Sequence, residues 1–473
     1  MRFTSEGEED VFRRLIRKIQ VNRARNHQRT LYADGEMLLA HYDARLPDGK
    51  TIEQTPFFWP QKAISVFASR LVPARFTMRD EGLLGDLEDA FIASDAALVE
   101  SMAIRAALEH GPAFVFTSPG DVDAGESEVI VTMASAMRAT AEFGRTGIAG
   151  TVTAALEMVS PRRGNLHLPG RVLDVELGTS RRSVVHGEYR APQRVGCAPY
   201  IHGPSDHRPF GVSRISRPVM GYTRAAMRAF VGSEVSGAWY AQPRERALGV
   251  DAESFADGAW IQAPGGVQGV PDISEEDAPN MPDSLRRAEF HTLPQMSMQP
   301  YSDQMRMIGG LFSGAASIPP SYIGIVADSN PQSAQAVWAS EIDLVREANL
   351  QRPGLNKGRR LLALNVLTVL HGNDFSPRDA AGLVSHWEDP HTRSPLEQSQ
   401  FVAQQVGVGN MQPGTAATLA ELPITPESAQ AIREDNRRAG SGRLLDRALE
   451  ARRSREAVEP VVAGSGVLGV EGG

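Results

Sequence analysis

The residues that could do chemistry in this sequence are few, and the densest group lies at 386–391. His386, Glu388 and His391 are metal-ligand types at close spacing. A zinc hydrolase built on a His-Glu-x-x-His helix needs both histidines on one helix face, and Pro390 prevents that geometry. We therefore interpret this run as a polar loop anchored by a buried Trp387. A metal-dependent hydrolase that uses the run is kept as the alternative function.

Other candidate residues carry weaker signals. His202, Asp206 and His207 lie in a Pro/Gly-rich loop and could bind a metal, although a hydrogen-bond network is the commoner role. Cys197 is the only cysteine, so it excludes an intramolecular disulfide and is expected to pack as a small hydrophobe.

Sequence motifs for catalysis are missing. There is no Walker A pattern, no G-x-S-x-G elbow and no dinucleotide fingerprint that opens a βαβ unit. We therefore expect no catalytic residues, no metal and no cofactor.

Composition indicates an intracellular protein of several domains. The 473 residues are 41% hydrophobic and 22% charged, which is ordinary for a chain that buries a core. No apolar run reaches the roughly 18 residues of a membrane helix, so no membrane segment is expected. The formal net charge of -8 argues against binding nucleic acid by neutralising phosphates, but it would allow DNA to slide past.

Helical spacing is clearest near the N-terminus. Phe12, Leu15, Ile16 and Ile19 repeat at one face of an amphipathic helix. The other face carries Arg13, Arg14, Arg17, Lys18, Arg23, Arg25 and Arg29. Such a face is usually solvated, and the alternative is contact with an acidic partner or with nucleic acid.

The remaining pattern predicts an α+β fold. Helices are predicted within 56–72, over 83–110, at 218–235 and 302–316, from 331 to a break or kink at Pro353–Gly354, from there to 371, and at 394–406 and 425–438. Strands are predicted at 113–117, 128–133, 147–158, 171–177 and 182–190, and loops at 198–217 and 237–299.

Short stretches of the chain carry a family resemblance through their order and spacing. They are 57–75 (FFWPQKAISVFASRLVPAR), 113–116 (AFVF), 207–215 (HRPFGVSRI), 241–249 (AQPRERALG), 318–324 (IPPSYIG) with 330–336 (NPQSAQA), and 387–394 (WEDPHTRS). Together they resemble the portal proteins of tailed bacteriophages, specifically the group common in actinobacterial phages. Gln335 stands where that family usually has an acidic residue, and Gln242–Pro243 reverses its Pro-Gln order.

The resemblance implies the portal architecture. It assigns 1–215 to the wing, 216–235 to the first stem helix, 236–299 to the clip, 300–317 to the second stem helix, 318–330 to the tunnel loop, 331–384 to the spanning helices of the wing and 385–440 to the crown. Residues 441–473 are then a C-terminal tail, expected to be disordered or ordered only in an assembly.

The resemblance also implies a non-enzymatic function. Portal subunits form a homo-oligomeric ring, a dodecamer in the virion, at the capsid vertex through which double-stranded DNA is packaged and ejected. The expected partners are the terminase large subunit, the head–tail adaptor proteins, and the major capsid protein with its scaffold. The expected location is the virion, and the host cytoplasm during assembly.

Three groups of site residues follow from the same resemblance. The tunnel loop would face DNA with Ser321, Tyr322, Ile323, Ile325, Val326, Asp328, Ser329 and Asn330. A stem hinge at Gly309, Gly310, Pro319 and Pro320 would let that loop shift as DNA passes. The clip would contact partners through Trp239, Tyr240 and Trp260.

Overall fold

The structure is a computed structural model. It describes residues 6–39, 54–145, 150–178, 183–237, 244–248, 289–293, 297–325, 334–372, 380–390, 395–415 and 431–436, with single positions between several of these ranges. The chain divides into two compact units, Met1–Pro390 and His391–Gly473. The predicted C-terminal tail, 441–473, lies outside the described residues.

The first unit mixes helices with antiparallel strands. Its helices are α1 (Glu6–Ala33), α2 (Trp59–Ala68), α3 (Glu81–Ala93), α4 (Ala96–His110), α5 (Arg217–Ser236), α6 (Gln299–Ala316) and α7 (Ala334–His371). Its strands are β1 (Pro73–Thr77), β2 (Pro112–Pro119), β3 (Val129–Ser135), β4 (Ala139–Phe143), β5 (Val152–Met158), β6 (Arg163–Leu168), β7 (Arg171–Leu177), β8 (Ser183–Arg190), β9 (Cys197–Ile201), β10 (Arg244–Leu248), β11 (Glu289–Leu293) and β12 (Val384–Trp387). The α+β class predicted from sequence is confirmed.

Helix α1 covers a five-stranded antiparallel meander of order β4-β5-β6-β7-β8. Phe12, Leu15, Ile16 and Ile19 are buried against apolar residues of this sheet, as their spacing predicts. Burial of each large apolar side chain stabilises the folded state by about 1.5–3 kcal/mol relative to exposure, so this stripe fixes the helix on the sheet.

A three-stranded sheet of order β3-β2-β9 lies at the centre of the unit, in contact with α4 and α7. All five residues of β9 are buried. The prediction of a loop from residue 198 is therefore wrong over 198–201. A strand buried on both faces lacks the polar alternation that marks a half-exposed strand, and Pro199 weakens the signal further.

The predicted helix over 83–110 is two helices. The Ser94 hydroxyl donates to the Ala90 carbonyl oxygen at 2.6 Å, and Asp95 adopts the left-handed conformation at φ 49°. A side chain that bonds the preceding turn competes with the helix ladder, and a left-handed residue ends it.

Helix α7 runs for 38 residues through Pro353 and Gly354, so of the predicted break or kink the break is wrong. Pro353 removes one helical hydrogen bond, which costs roughly 3 kcal/mol in a helix interior. Close packing offsets that cost: an added Cβ would lie 2.7 Å from the Ile201 oxygen at Gly354, and 2.8 Å from the Pro199 oxygen at Gly358. The glycines let α7 lie directly on β9.

Strand β12 pairs antiparallel with β1: Pro73 is opposite Trp387 and Thr77 is opposite Val384, with a shift in register between Pro73 and Phe76. Residues 385–390, which the sequence assigned to the crown, therefore pack within the first unit. Neither strand is predicted from sequence, because each is short and finds its partner more than 300 residues away along the chain.

The second unit contains helix α8 (Pro395–Gly407), which agrees with the predicted helix at 394–406. Residues 431–436, inside the predicted helix at 425–438, are also helical. Across the described ranges of the chain, no helix has both the length and the apolar character needed to span a bilayer.

A buried ion pair joins five elements of the first unit. Arg359 of α7 and Glu100 of α4 are 1% and 2% exposed, and Nε of the arginine lies 2.8 Å from Oε1 of the glutamate. The guanidinium also donates to the carbonyl oxygens of Ala74 in β1 and His386 in β12. The Tyr200 hydroxyl of β9 donates to Glu100, and burial together with this carboxylate raises the tyrosine pKa.

We predict that Glu100→Gln lowers the free energy of unfolding by about 3–5 kcal/mol, because it leaves the Arg359 charge buried without its counter-charge. Urea denaturation followed by circular dichroism measures the loss. Glu88→Gln on the exposed face of α3 is the control and should change stability by less than about 0.5 kcal/mol. Equal effects of the two substitutions would show that the buried pair has no special role.

Candidate functional site

Helices α5 and α6 form an antiparallel pair. At one end, the Ser236 hydroxyl of α5 lies 2.7 Å from the Tyr301 hydroxyl of α6. At the other end, Arg214, just before α5, donates to the carbonyl oxygen of Ala316 at the end of α6. The Ser216 side chain caps α5 by accepting from the Val219 amide. The chain thus leaves along α5 and returns along α6.

Aromatic side chains hold α2 against this pair. The Trp59 and Phe312 ring centroids are 5.3 Å apart, and those of Phe57 and Phe230 are 5.9 Å apart. Tilted and edge-to-face contacts of this kind add to the burial of the rings themselves. The 57–75 stretch therefore supports the helix pair directly.

A two-stranded antiparallel sheet lies within the segment between the two helices. Strand β10 pairs with β11 in register from Arg244↔Leu293 to Leu248↔Glu289. The sequence predicts only loops here, so these strands were missed. Trp239, Tyr240 and Trp260, predicted to contact partners, lie outside the described residues.

The segment after α6 is a tight, anchored turn. Ser317 is left-handed at φ 49°, a 3-10 turn spans Pro320–Ile323, and Gly324 is left-handed at φ 82°. Ile323 is 3% exposed and packs into the main core, so it faces the protein.

Tyr322 ties this turn to two helices. Its hydroxyl donates to Glu341 Oε1 of α7 at 2.5 Å and accepts from Arg70 Nη2, beyond the end of α2, at 3.0 Å. Arg70 and Glu341 also form an ion pair of 3.2 Å. Burial and the bond to Glu341 raise the pKa of Tyr322.

The structure therefore describes only part of the predicted tunnel loop. Ser321 is exposed, Tyr322 and Ile325 are half-buried, and Ile323 is buried. Val326, Asp328, Ser329 and Asn330 lie outside the described residues. No sequence signal marked Arg70 and Glu341 as partners of the loop.

The predicted hinge residues have different surroundings. A Cβ on Gly309 would lie 1.7 Å from Ile325 Cδ1, so this glycine allows close contact between α6 and the turn. A Cβ on Gly310 would meet nothing within 4 Å. Pro319 is buried and Pro320 is exposed.

Arg214 is a buried residue that contacts several elements, and no sequence pattern indicates this role. Its Nε donates to the Ala63 oxygen of α2 at 3.2 Å, and its Nη1 lies 2.8 Å from Glu347 Oε1 of α7. The guanidinium also stacks 3.7 Å from the Phe67 ring. Burial lowers its pKa. Together with its bond to Ala316, Arg214 joins α2, α6 and α7 at the base of the helix pair.

The 386–391 run does not form a metal centre within the described residues. His386 lies on β12, not in the predicted loop, and its Nε2 is 2.9 Å from Thr77 Oγ1. Trp387 is half-buried and donates to Asn356. His391 lies outside the described residues. In the part of the chain that is described, no three His, Cys, Asp or Glu side chains converge as metal ligands.

The other single candidates have structural partners. His202 is buried and its Nδ1 lies 2.7 Å from the Val212 oxygen, while burial lowers its pKa to about 4. His207 is 91% exposed beside Asp206. Cys197 is buried with Phe114 and Phe116, as predicted, and burial raises its thiol pKa.

Of the comparisons with known proteins, only the one with solved structures gives matches. No protein-family model matches the chain, and no curated protein matches it. Three solved structures align with 78% of this chain and 90% of their own. They are the virion of a native gene transfer agent (GTA) particle (14% identical, TM-score 0.41), the neck of a native GTA particle computed with C12 symmetry (13%, 0.44) and the neck of an empty GTA particle computed with C6 symmetry (14%, 0.43). Likeness at this level assigns no family.

We predict opposite effects for alanine at the two neighbouring glycines of α6. Gly310→Ala should raise the free energy of unfolding by roughly 0.5–1 kcal/mol, because a helix interior favours alanine and the position is open. Gly309→Ala should lower it by up to about 1 kcal/mol, because the new methyl displaces the end of the Ile325 side chain at a cost that the helix preference for alanine only partly offsets.

Thermal and urea melts of the two variants measure this difference. Adding Ile325→Val to Gly309→Ala removes the clashing Cδ1 atom and should recover most of the loss. If the double variant is no more stable than Gly309→Ala alone, the contact with Ile325 is not the cause.

Proposed function

We propose that this chain is a portal subunit of a tailed-phage-like particle. The observation that carries the proposal is the antiparallel pair α5 and α6, which has a two-stranded antiparallel sheet in the segment at one end and an anchored turn at the other. This arrangement supports the stem, clip and tunnel-loop order that the sequence resemblance implies. The α5 and α6 boundaries, Arg217–Ser236 and Gln299–Ala316, fit the proposed stem helices at 216–235 and 300–317.

The long helix α7 fits the proposed spanning helix. Its 38 residues extend for about 57 Å at the α-helical rise, which is enough to cross a domain of this size. Three ion pairs connect α7 to the rest of the unit. Glu341 pairs beside the turn, Glu347 pairs at the base of the helix pair, and Arg359 pairs in the core. A displacement of the turn would therefore also displace α7.

In this proposal the subunits close into a ring at the capsid vertex, and the DNA duplex passes through its centre. The net charge of -8 suits a channel that guides DNA without holding it by phosphate contacts. Terminase would dock on the clip during packaging, and head–tail adaptors would dock there afterwards. The chain itself carries out no catalytic step.

The hydrolase alternative has less support. His386 is engaged with Thr77 on a strand, and its neighbour Glu388 donates its backbone amide to the Val72 oxygen. The first is a side-chain contact across the paired strands β1 and β12, and the second is a backbone bond beside the same pair. Metal analysis tests this alternative directly, since stoichiometric zinc or manganese in the purified protein would favour it.

The proposal is tested by native mass spectrometry and electron microscopy of the purified protein. We expect closed rings with a channel wide enough for a DNA duplex, either from the protein alone or after co-expression with the capsid and scaffolding proteins of its own genome. A monomer or a channel-free oligomer under both conditions would contradict the portal function.

We predict that Gly309→Ala slows DNA packaging while leaving ring assembly intact, because the substitution moves Ile325 and so the turn that enters the proposed tunnel loop. Packaging in vitro with purified terminase measures the rate. Gly310→Ala is the matched control and should package as the wild type does. Unchanged packaging by Gly309→Ala would remove the hinge from the mechanism.

A further inference from the structure

A cleft of about 870 Å³ in the first unit has a one-sided charge. Lys18, Arg25 and Arg29 of α1 line it together with Arg208 and Arg217, which precede and open α5. Its lining contains no aspartate or glutamate. A concave surface lined by one sign of charge concentrates field lines and attracts the opposite charge.

Arg29 and His110 of this basic cleft lie among like charges. Burial, followed by repulsion from Arg25 and Arg208, lowers the pKa of Arg29 to about 10. Burial and the nearby Arg29 and Arg25 lower the pKa of His110 to about 4, which keeps that ring neutral. Arg29 Nε is a buried donor without a hydrogen-bond partner among the described residues. A buried donor of this kind favours an acceptor, so the cleft is suited to an anion.

The basic face of α1 is divided between two roles. Arg13 pairs with Glu9 at 2.8 Å, and Arg14 pairs with Glu142 at 3.1 Å. Arg25, Arg208 and Arg217 are exposed and make no ion pair with any described residue. The part of this face that borders the cleft is therefore available to a partner.

An acidic loop, residues 120–128, joins β2 to β3. Its four carboxylates, Asp121, Asp123, Glu126 and Glu128, are all exposed. The loop is preorganised: Asp121 Oδ1 accepts from the Ala124 amide at 3.2 Å, and Glu126 Oε2 accepts from the Asp121 amide at 2.9 Å. Asp123 and Glu128 are not used in these bonds. Exposed Val122 adds an apolar contact at the tip.

The basic cleft and the acidic loop lie at opposite ends of one strand. Pro112 and Phe114 at the start of β2 line the cleft, and Pro119 at its end leads into the loop. Seven residue steps at the strand rise separate these ends by about 23 Å. Identical subunits that close head to tail need two different and complementary surfaces, and this strand carries one at each end.

We propose that the acidic loop of one subunit inserts into the basic cleft of the next subunit around the ring. Asp123 and Glu128 then face Arg25 and Arg208 of the neighbour. The inference rests on the proposed ring assembly. A second copy is the occupant that the chain itself supports, because it supplies a preorganised acidic projection at the opposite end of the same strand. Nucleic-acid phosphates are the competing occupant.

Two charge-reversal variants test the contact. Arg25→Glu/Arg208→Glu makes the cleft acidic at its rim, and Asp123→Lys/Glu128→Lys makes the loop basic. Each variant alone should assemble poorly, with the protein concentration for half-maximal assembly raised roughly tenfold or more. An equimolar mixture should restore rings in which the two variants alternate, because each then meets a neighbour of opposite charge. Native mass spectrometry reads the composition and electron microscopy reads the ring.

The matched control is Arg17→Glu/Arg23→Glu, which changes the net charge equally on exposed positions of α1 outside the cleft. It should assemble as the wild type does. Thermal melts establish that all the variants are folded. The conditions are those under which the wild-type chain forms rings.

The outcomes separate this contact from the portal function. If the wild type forms rings and the folded variants assemble normally alone, or fail when mixed, the loop–cleft contact is wrong and the portal function stands. If the cleft variant forms rings normally but these rings bind less duplex DNA than wild-type rings do, the cleft binds phosphates and the proposal is overturned. If the wild type never forms rings, the proposed function and this contact both fall.

Discussion

The pairing of Arg359 with Glu100 is the constraint on which the first unit depends. Two charges that are almost fully removed from water are tolerated only if every polar atom finds a partner. The required partners come from α4, α7, β1, β9 and β12, so these five elements must meet at one point. A buried pair of this kind adds little net stability over an apolar core, but a different arrangement of the elements would leave a charge unmatched. This favours one arrangement of chain segments that lie far apart in sequence.

Arg214 is a second buried charge that needs partners from several elements, and it lies nearer the candidate site. It joins α2, α6 and α7 where the helix pair meets the core, and its neighbour Ser216 starts α5. Above this base, Tyr322 with Arg70 and Glu341 anchors the turn that follows α6. The turn is thus fixed on the protein side, and motion in the proposed tunnel loop would begin from a rigid support. Gly309 sets how closely α6 approaches that support.

Total charge hides how charge is arranged on this chain. The net value of -8 reads as weakly acidic, yet the basic cleft and the acidic loop lie at opposite ends of β2. Separated charge of this kind suits heterologous contacts between identical copies, while the negative net value suits the proposed passage of DNA without tight binding. The proposed portal function and the proposed contact therefore draw on different properties of the same composition.

The sequence by itself determined the local structure: the apolar stripe of α1, the strands at 171–177 and 182–190, the helix pair, and the α+β class. These features follow from periodicity and from caps and prolines within a few residues. The tertiary structure decided what depends on distant partners: strand β9 buried on both faces, the β1–β12 pair, the passage of α7 through Pro353, and the partners of Tyr322 and Arg214. A buried strand, a proline in a helix or a buried arginine is acceptable only when another segment packs against it. The packing energy comes from contacts between residues that are far apart in the sequence, and local sequence patterns do not report such contacts.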